Sequence, residues 1–455
     1  MTAAANALVD HALSVRWDAL PAAVKADARR LLHDAVAVGA AGAGAAYADV
    51  VLAAARGWGG SRDAETGLVL GRPGVRLPPA QAAFVNAFQL HGQEYDSVHE
   101  KAVLHPLPTI VPALVAELGR SGPYSGEEVL AAMVAGVDVA IALGIAATTP
   151  LRFFRPATAG VFGATAALAR LKRLPSETAM DAMGYALAFS SGTMQAHTEG
   201  KPALPVQVAA SARSALQAID LAEAGLPGPR DWLEGPFGYL PLFEAGFDLG
   251  PVLADLKHRR RIAEVACKPF PTGRACHGGL VAVRKLATEH GVTPADLDSL
   301  TYSASPLIHH LVGRVAKPRM DTAYARLCLP YLAAVMLTRG RVGLDDYTPQ
   351  RLNEPDVLAL AARIVVESDG NPDPAAFVPA RATARLKDGR KIVLDVTVQL
   401  GSPDFPMSRD EHLEKTRSCL AFVGMEAVHG PLTDLFDRFD TLTDAREAFV
   451  LASGG

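Results

Sequence analysis

The sequence predicts a mainly α protein with a large all-helical domain and a smaller α+β domain carrying an antiparallel sheet. Three observations predict it. From residue 1 to about 265 the apolar residues recur at helical spacing, with no convincing alternating strand. Around 267 the texture changes to short β-branched runs broken by turn residues. From Ser408 the helical spacing returns. A chain of 455 residues is also long for one core. The expected division is a discontinuous helical domain, 1–266 with 401–455, and an α+β domain over 267–400.

Taken in order, the Ala-rich stretch 34–56 reads as a buried helix pair, since Asp34, Asp49 and several glycines interrupt it. Ala82–Leu90 is an apolar helical run. Ser125-Gly-Glu-Glu128 is a capping box ahead of Val129. The small residues of Ala159–Leu168 let two helices approach closely, and Pro175-Ser176-Glu177 starts another helix. In the second region, Ser299–Ala304 and Ile364–Val366 have strand character. Ala382–Val398 alternates on both sides of Asp388-Gly389, a hairpin signal. Helical runs lie at 277–290 and 321–338. Ser408-Arg-Asp-Glu411 is a further capping box.

Composition excludes several function classes. Forty-four basic residues against 48 acidic ones give a net charge of −4, which fits neither nucleic acid nor an anionic membrane as partner. No run approaches the roughly 20 apolar residues of a spanning helix. The first ten residues have no basic segment and do not resemble a signal peptide. Cys267, Cys276, Cys328 and Cys419 are too sparse for a disulfide framework or an iron–sulfur cluster. A reducing cytoplasm is the expected compartment.

The polar residues concentrate in a few places. Three of the 13 histidines, His91, His99 and His105, fall within fifteen positions and share them with Glu94, Asp96 and Glu100. A helix end running into a polar loop is a usual place for catalytic side chains. Imidazoles exchange protons near neutral pH, and carboxylates orient them or act as bases. Metal binding and plain solvation are the competing readings. Arg152 and Arg155 precede the small-residue helix and suit a carboxylate. Lys201 sits between Gly200 and Pro202. Lys268, Arg274 and His277 surround a Pro- and Gly-rich turn. A helix N-terminus disfavours an imidazolium, so His277 needs a nearby carboxylate to stay protonated.

Together these segments resemble the MmgE/PrpD family over nearly the whole chain. The resemblance rests on Glu94-Tyr95-Asp96-Ser97-Val98 followed by His105-Pro106, on Arg155-Pro156…Gly160, on Lys201-Pro202, and on Lys268-Pro-Phe270-Pro271…His277. Leu329-Pro330-Tyr331, Asp388-Gly389-Arg390 and Phe405-Pro406-Met407-Ser408 match more weakly. The family implies a lid-like second domain, a homodimer, and a metal- and cofactor-free site between the domains. It includes 2-methylcitrate dehydratases, cis-aconitate decarboxylases and an iminodisuccinate epimerase. This chain departs from it at Glu94 (usually Asp), Val98 (usually Thr) and Arg155 (usually His), and at the histidine usually found after the loop lysine, replaced near Leu204-Pro205.

The expectation is a metal-independent acid–base enzyme acting on a small di- or tricarboxylate, foremost as a 2-methylcitrate dehydratase-like hydro-lyase. Epimerase or isomerase, decarboxylase, and silent carboxylate binder are the alternatives. Expected catalytic residues are His105, His277, Glu94, Asp96 and Lys201. Arg155, Arg274, Lys268 and His99 are expected to bind substrate.

Overall fold

Small residues build the first core by letting helix backbones touch. Helix Gly126–Ala146 crosses helix Gly160–Leu171 at Gly136 and Gly163. A Cβ at Gly136 would meet the Gly163 carbonyl oxygen at 2.5 Å, and one at Gly163 would meet that of Gly136 at 2.8 Å. Alanine is therefore too large at either position. The computed structural model describes residues 3–59, 66–373 and 376–455. The reading of the first ten residues rests partly on Met1 and Thr2, which lie outside those described.

The capping boxes form as expected. Ser125 and Glu128 exchange side-chain and backbone hydrogen bonds at the start of Gly126–Ala146, and Ser408 and Glu411 do so at Arg409–Phe422. One expectation needs correcting. Helix Gly126–Ala146 is 21 residues long and apolar enough to cross a membrane, and 94% of its apolar window is buried inside the molecule. Asp138 near its middle accepts from His11 Nε2 at 2.9 Å and from the Arg261 amide at 2.6 Å. Its apolar length serves the protein core.

Strands β1 (Gly67–Leu68) and β2 (Arg76–Leu77) form a short antiparallel pair, too brief to leave an alternation in the sequence. The other four strands are β3 (Leu297–Ala304), β4 (Ile364–Ser368), β5 (Ala380–Leu386) and β6 (Lys391–Val396), in the order β4-β3-β5-β6. The β5–β6 hairpin turns at Asp388-Gly389, where Gly389 takes φ +90. The sheet is mixed, not purely antiparallel, because β3 and β4 pair in parallel. A parallel pair needs a long crossover, and the helices between Pro306 and Ala361 supply it. The expected helix 321–338 is two: Asp321 caps Thr322–Ala325, and a new helix, Leu329–Arg339, starts with Pro330 in its first turn.

Apolar side chains gather in two main cores. One runs from Ala4 to Cys267 and includes Met407 to Ala452; the other runs from Phe270 to Val396. The chain passes between them at Ala266–Pro269. There Val98 pairs with Ala266, and the Cys267 amide donates to the Gly401 carbonyl at 2.8 Å. Gly401 has φ +88, and a Cβ on it would lie 1.9 Å from the Cys267 carbonyl oxygen. This crossing positions the polar site.

Candidate active site

Helix Pro79–Gly92 ends with His91 pointing into the protein, and the chain turns at Glu94, whose φ of +50 is rare for a residue with a side chain. Arg326 from the second core holds that turn, donating to the Gly92 carbonyl and to the Gln93 side chain. A small loop follows, closed by reciprocal backbone bonds between His99 and Leu104. It returns the chain so that His105 faces Asp96.

Asp96 is buried, and its Oδ2 accepts from His91 Nδ1 at 3.0 Å and from His105 Nδ1 at 2.8 Å. With Nδ1 donating, His105 Nε2 keeps its lone pair, and the ring is 14% exposed. Burial works to raise the Asp96 pKa, but His105, His91 and Lys268 hold it well below the usual carboxylate range. Burial pushes the His105 pKa down, with Lys268 adding to this and Asp96 opposing it. In His91, burial also acts downward, but Asp96 and Glu94 prevail and raise it.

Lys268 is fully buried and donates to the Glu94 carboxylate at 3.0 Å and to its carbonyl at 3.1 Å; its Nζ lies 3.8 Å from Asp96. Against the effect of burial, Lys268, His91 and His105 bring Glu94 down to about 2. Arg274 donates from Nε to Glu100 at 2.6 Å and from one terminal nitrogen to the Leu400 carbonyl at 2.7 Å. Its Nη2 is buried with no hydrogen-bond partner among the described residues.

Glu94, His105 and Arg274 meet at one cavity of ≈ 80 Å³, walled by Val98, Val103, Leu151, Phe154, Pro156, Met194, Leu204, Leu311, Val312, Leu327 and Phe377, with His197 also in its lining. The walls are mostly apolar, so charges inside the cavity are weakly screened. A wider cleft of ≈ 810 Å³ lies on the other side of Pro269, but no histidine lines it. The histidines that line a cavity here, His105 and His197, therefore gather at the smaller one.

The remaining expected residues are placed differently. Arg155 makes a buried two-pronged ion pair with Glu244, at 2.8 and 2.9 Å, and donates to the Ala102 carbonyl. Its guanidinium is engaged within the protein instead of standing free for a substrate. His277 is fully buried; Nε2 donates to the Thr272 carbonyl at 3.2 Å, and Nδ1 faces Arg274 at 3.3 Å. Burial, Arg274 and Lys268 push its pKa well below the ordinary value. Both ring nitrogens are occupied, and His277 stands behind Arg274 outside the cavity lining. His99 is also engaged, accepting from the Ala102 amide and donating to Glu264 at 3.0 Å. Lys201 is exposed and outside the cavity lining. Lys268 reaches the site only through Glu94 and Asp96.

Sequence reasoning missed Glu244, Glu264, Arg314 and Arg326, which are distant in the chain from their partners. His197 lies four residues before Lys201, and its side-chain type was the available signal.

Two groups bring metal-ligating atoms together: His91 with Asp96 and His105, and Asp34 with Cys267 and His412, each set within 4.8 Å. In the first, Asp96 already takes two imidazole hydrogen bonds on one oxygen and faces Lys268 with the other. In the second, the Lys415 ammonium lies 2.7 Å from Asp34. A resident cation thus neutralises the carboxylate in both, which disfavours a second one.

The chain is 27% identical over 366 residues to the human (Homo sapiens) cis-aconitate decarboxylase, covering 77% of this chain and 74% of that protein. It is 27% identical over 372 residues to the mouse (Mus musculus) cis-aconitate decarboxylase, covering 77% and 73%. The MmgE/PrpD N-terminal domain matches residues 6–251 and the MmgE/PrpD C-terminal domain matches 270–429, so the chain belongs to the MmgE/PrpD family.

Proposed function

We propose that the chain is a lyase acting on a small di- or tricarboxylate, with His105 as the base and Arg274 as the anchor for the carboxylate beside the reacting carbon. The observation that carries this is the shared cavity. It combines an imidazole whose Nδ1 is fixed by Asp96 with a guanidinium whose Nη2 has no partner among the described residues. His105 Nε2 takes the proton from carbon, and the electron pair passes toward the anchored carboxylate. In the hydro-lyase reading, hydroxyl then leaves the neighbouring carbon with its bonding pair, takes the proton held by the His105 imidazolium, and departs as water. Glu94 closes the polar end of the cavity, held by Lys268.

Decarboxylation is the second reading, favoured by the names of both relatives. There the carbon–carboxylate bond breaks, carbon dioxide leaves, and the electron pair left on carbon takes a proton from His105 in its protonated form. Epimerisation is a third, favoured by Arg155: the residue at the usual histidine position is engaged with Glu244, and removing and returning one proton needs no acid for a leaving group.

We place the enzyme in the cytoplasm as a homodimer that works without metal or cofactor. Four buried, unpaired cysteines support a reducing compartment. Methylcitrate, citrate, aconitate, malate-like and aspartate-derived diacids, incubated in heavy water and followed by NMR, distinguish the readings through water loss, carbon dioxide release or deuterium uptake alone. His105→Ala should lower the rate by about 10²–10⁴. Unchanged turnover in that variant would overturn the assignment. Binding of a polycarboxylate without exchange or product would mark a silent binder.

A further inference from the structure

The cavity contains a second imidazole that the reaction as written does not use. His197 lies on the short helix Gln195–Glu199, which Gly200 ends at φ +65, and its side chain joins Glu94, His105 and Arg274 in the cavity wall. Arg314, from the second core, anchors it. The guanidinium donates to the His197 carbonyl at 2.7 Å, and the same nitrogen faces His197 Nδ1 at 3.5 Å. A guanidinium has only N–H groups to offer, so the ring nitrogen facing it must present a lone pair. The ring proton is then on Nε2, which has no hydrogen bond to another described residue.

We propose that His197 is a second catalytic residue, a neutral imidazole whose Nε2–H donates to the substrate oxygen on which negative charge gathers after His105 takes the proton. This rests on the reading above and deepens it. The carbon–hydrogen bond breaks, its proton goes to His105 Nε2, and its electron pair spreads into the carboxylate. The extra charge on that oxygen meets the Arg274 guanidinium and the His197 N–H together, with no proton transfer from His197 required. A preorganised donor in a mostly apolar cavity is effective because it strengthens as charge develops.

The charged surroundings suit such a role. Burial first, then Arg314, bring His197 down to about 4, with His310 acting the same way and Glu94 opposing. That direction favours the neutral imidazole, which donates without becoming a competing acid.

Two measurements on the full chain test this. Long-range proton–nitrogen NMR of nitrogen-15 histidine-labelled protein, with His197 assigned by its disappearance in His197→Gln, should show a neutral ring protonated on Nε2 from about pH 5.5 to 9. A ring protonated on Nδ1, or an imidazolium at neutral pH, would overturn the proposal. With a substrate that the wild type turns over, His197→Ala should lower kcat by about 10²–10³ with little change in KM, and His197→Gln, which keeps an N–H donor, should recover part of the loss. A kcat within about twofold of wild type in His197→Ala removes this role and leaves the His105 reading standing. A wild-type chain that neither exchanges nor converts any polycarboxylate removes both.

Discussion

Lys268→Met isolates what the central buried ion pair contributes. Methionine keeps the length of the stem and removes the ammonium. The Glu94 carboxyl falls from an ordinary 4.5 to about 2 in the folded chain. That difference, at about 1.4 kcal/mol per unit, gives roughly 3 kcal/mol of pH-dependent stability, shared among Lys268, His91 and His105. Because the folded pKa is depressed, this stability is fully present above the unfolded value. It is lost as the pH falls from about 4.5 toward 2, so about half remains at pH 3. Lys268 also stands 3.8 Å from Asp96, so its removal leaves two buried carboxylates with only imidazoles to offset them. Breaking such a pair costs about 3–5 kcal/mol. Glu94→Gln in the Lys268→Met background should recover much of the loss, because it removes the uncompensated charge. Urea unfolding of the four proteins, followed by circular dichroism at pH 7, gives the coupling directly. Additive effects, or a Lys268→Met midpoint equal to wild type, would refute the electrostatic account of this pair.

Other outcomes follow from the same geometry. Asp96→Asn should lower activity by about 10²–10⁴, since the His105 tautomer is no longer enforced. Where His105 takes the proton from carbon, activity should rise with pH through a limb below the ordinary imidazole value, because His105 is depressed and accepts a proton only when neutral; a limb above 6.5 would contradict this. Arg155→Met should destabilise the fold by about 3–5 kcal/mol by leaving Glu244 buried and unpaired, and Arg155→Met with Glu244→Leu should be milder, as read by urea midpoints. Prolonged chelation with EDTA should leave turnover unchanged; a loss restored by zinc would reassign His91, Asp96 and His105 as ligands.

What the sequence reveals depends on how far apart the interacting residues stand. The capping boxes at Ser125 and Ser408 and the turn at Asp388-Gly389 are legible because each is decided within four residues. The parallel pairing of β3 with β4 is not, because it depends on how a long helical crossover folds back. The site divides in the same way. Residue types that carry chemistry are visible, and Glu94, His105 and Arg274 do share a cavity. Whether a cation is free for a ligand depends on a partner that the local sequence does not name. Arg155 and Arg274 look equivalent as sequence, but Glu244 occupies the guanidinium of one, while the other, held by Glu100 and Leu400, keeps Nη2 without a partner among the described residues. If Arg274 is the anchor proposed above, an anion binding there displaces no resident carboxylate from Nη2, whereas one binding at Arg155 must displace Glu244. Which cations stand open to a ligand thus depends on their buried partners more than on the count of basic residues nearby.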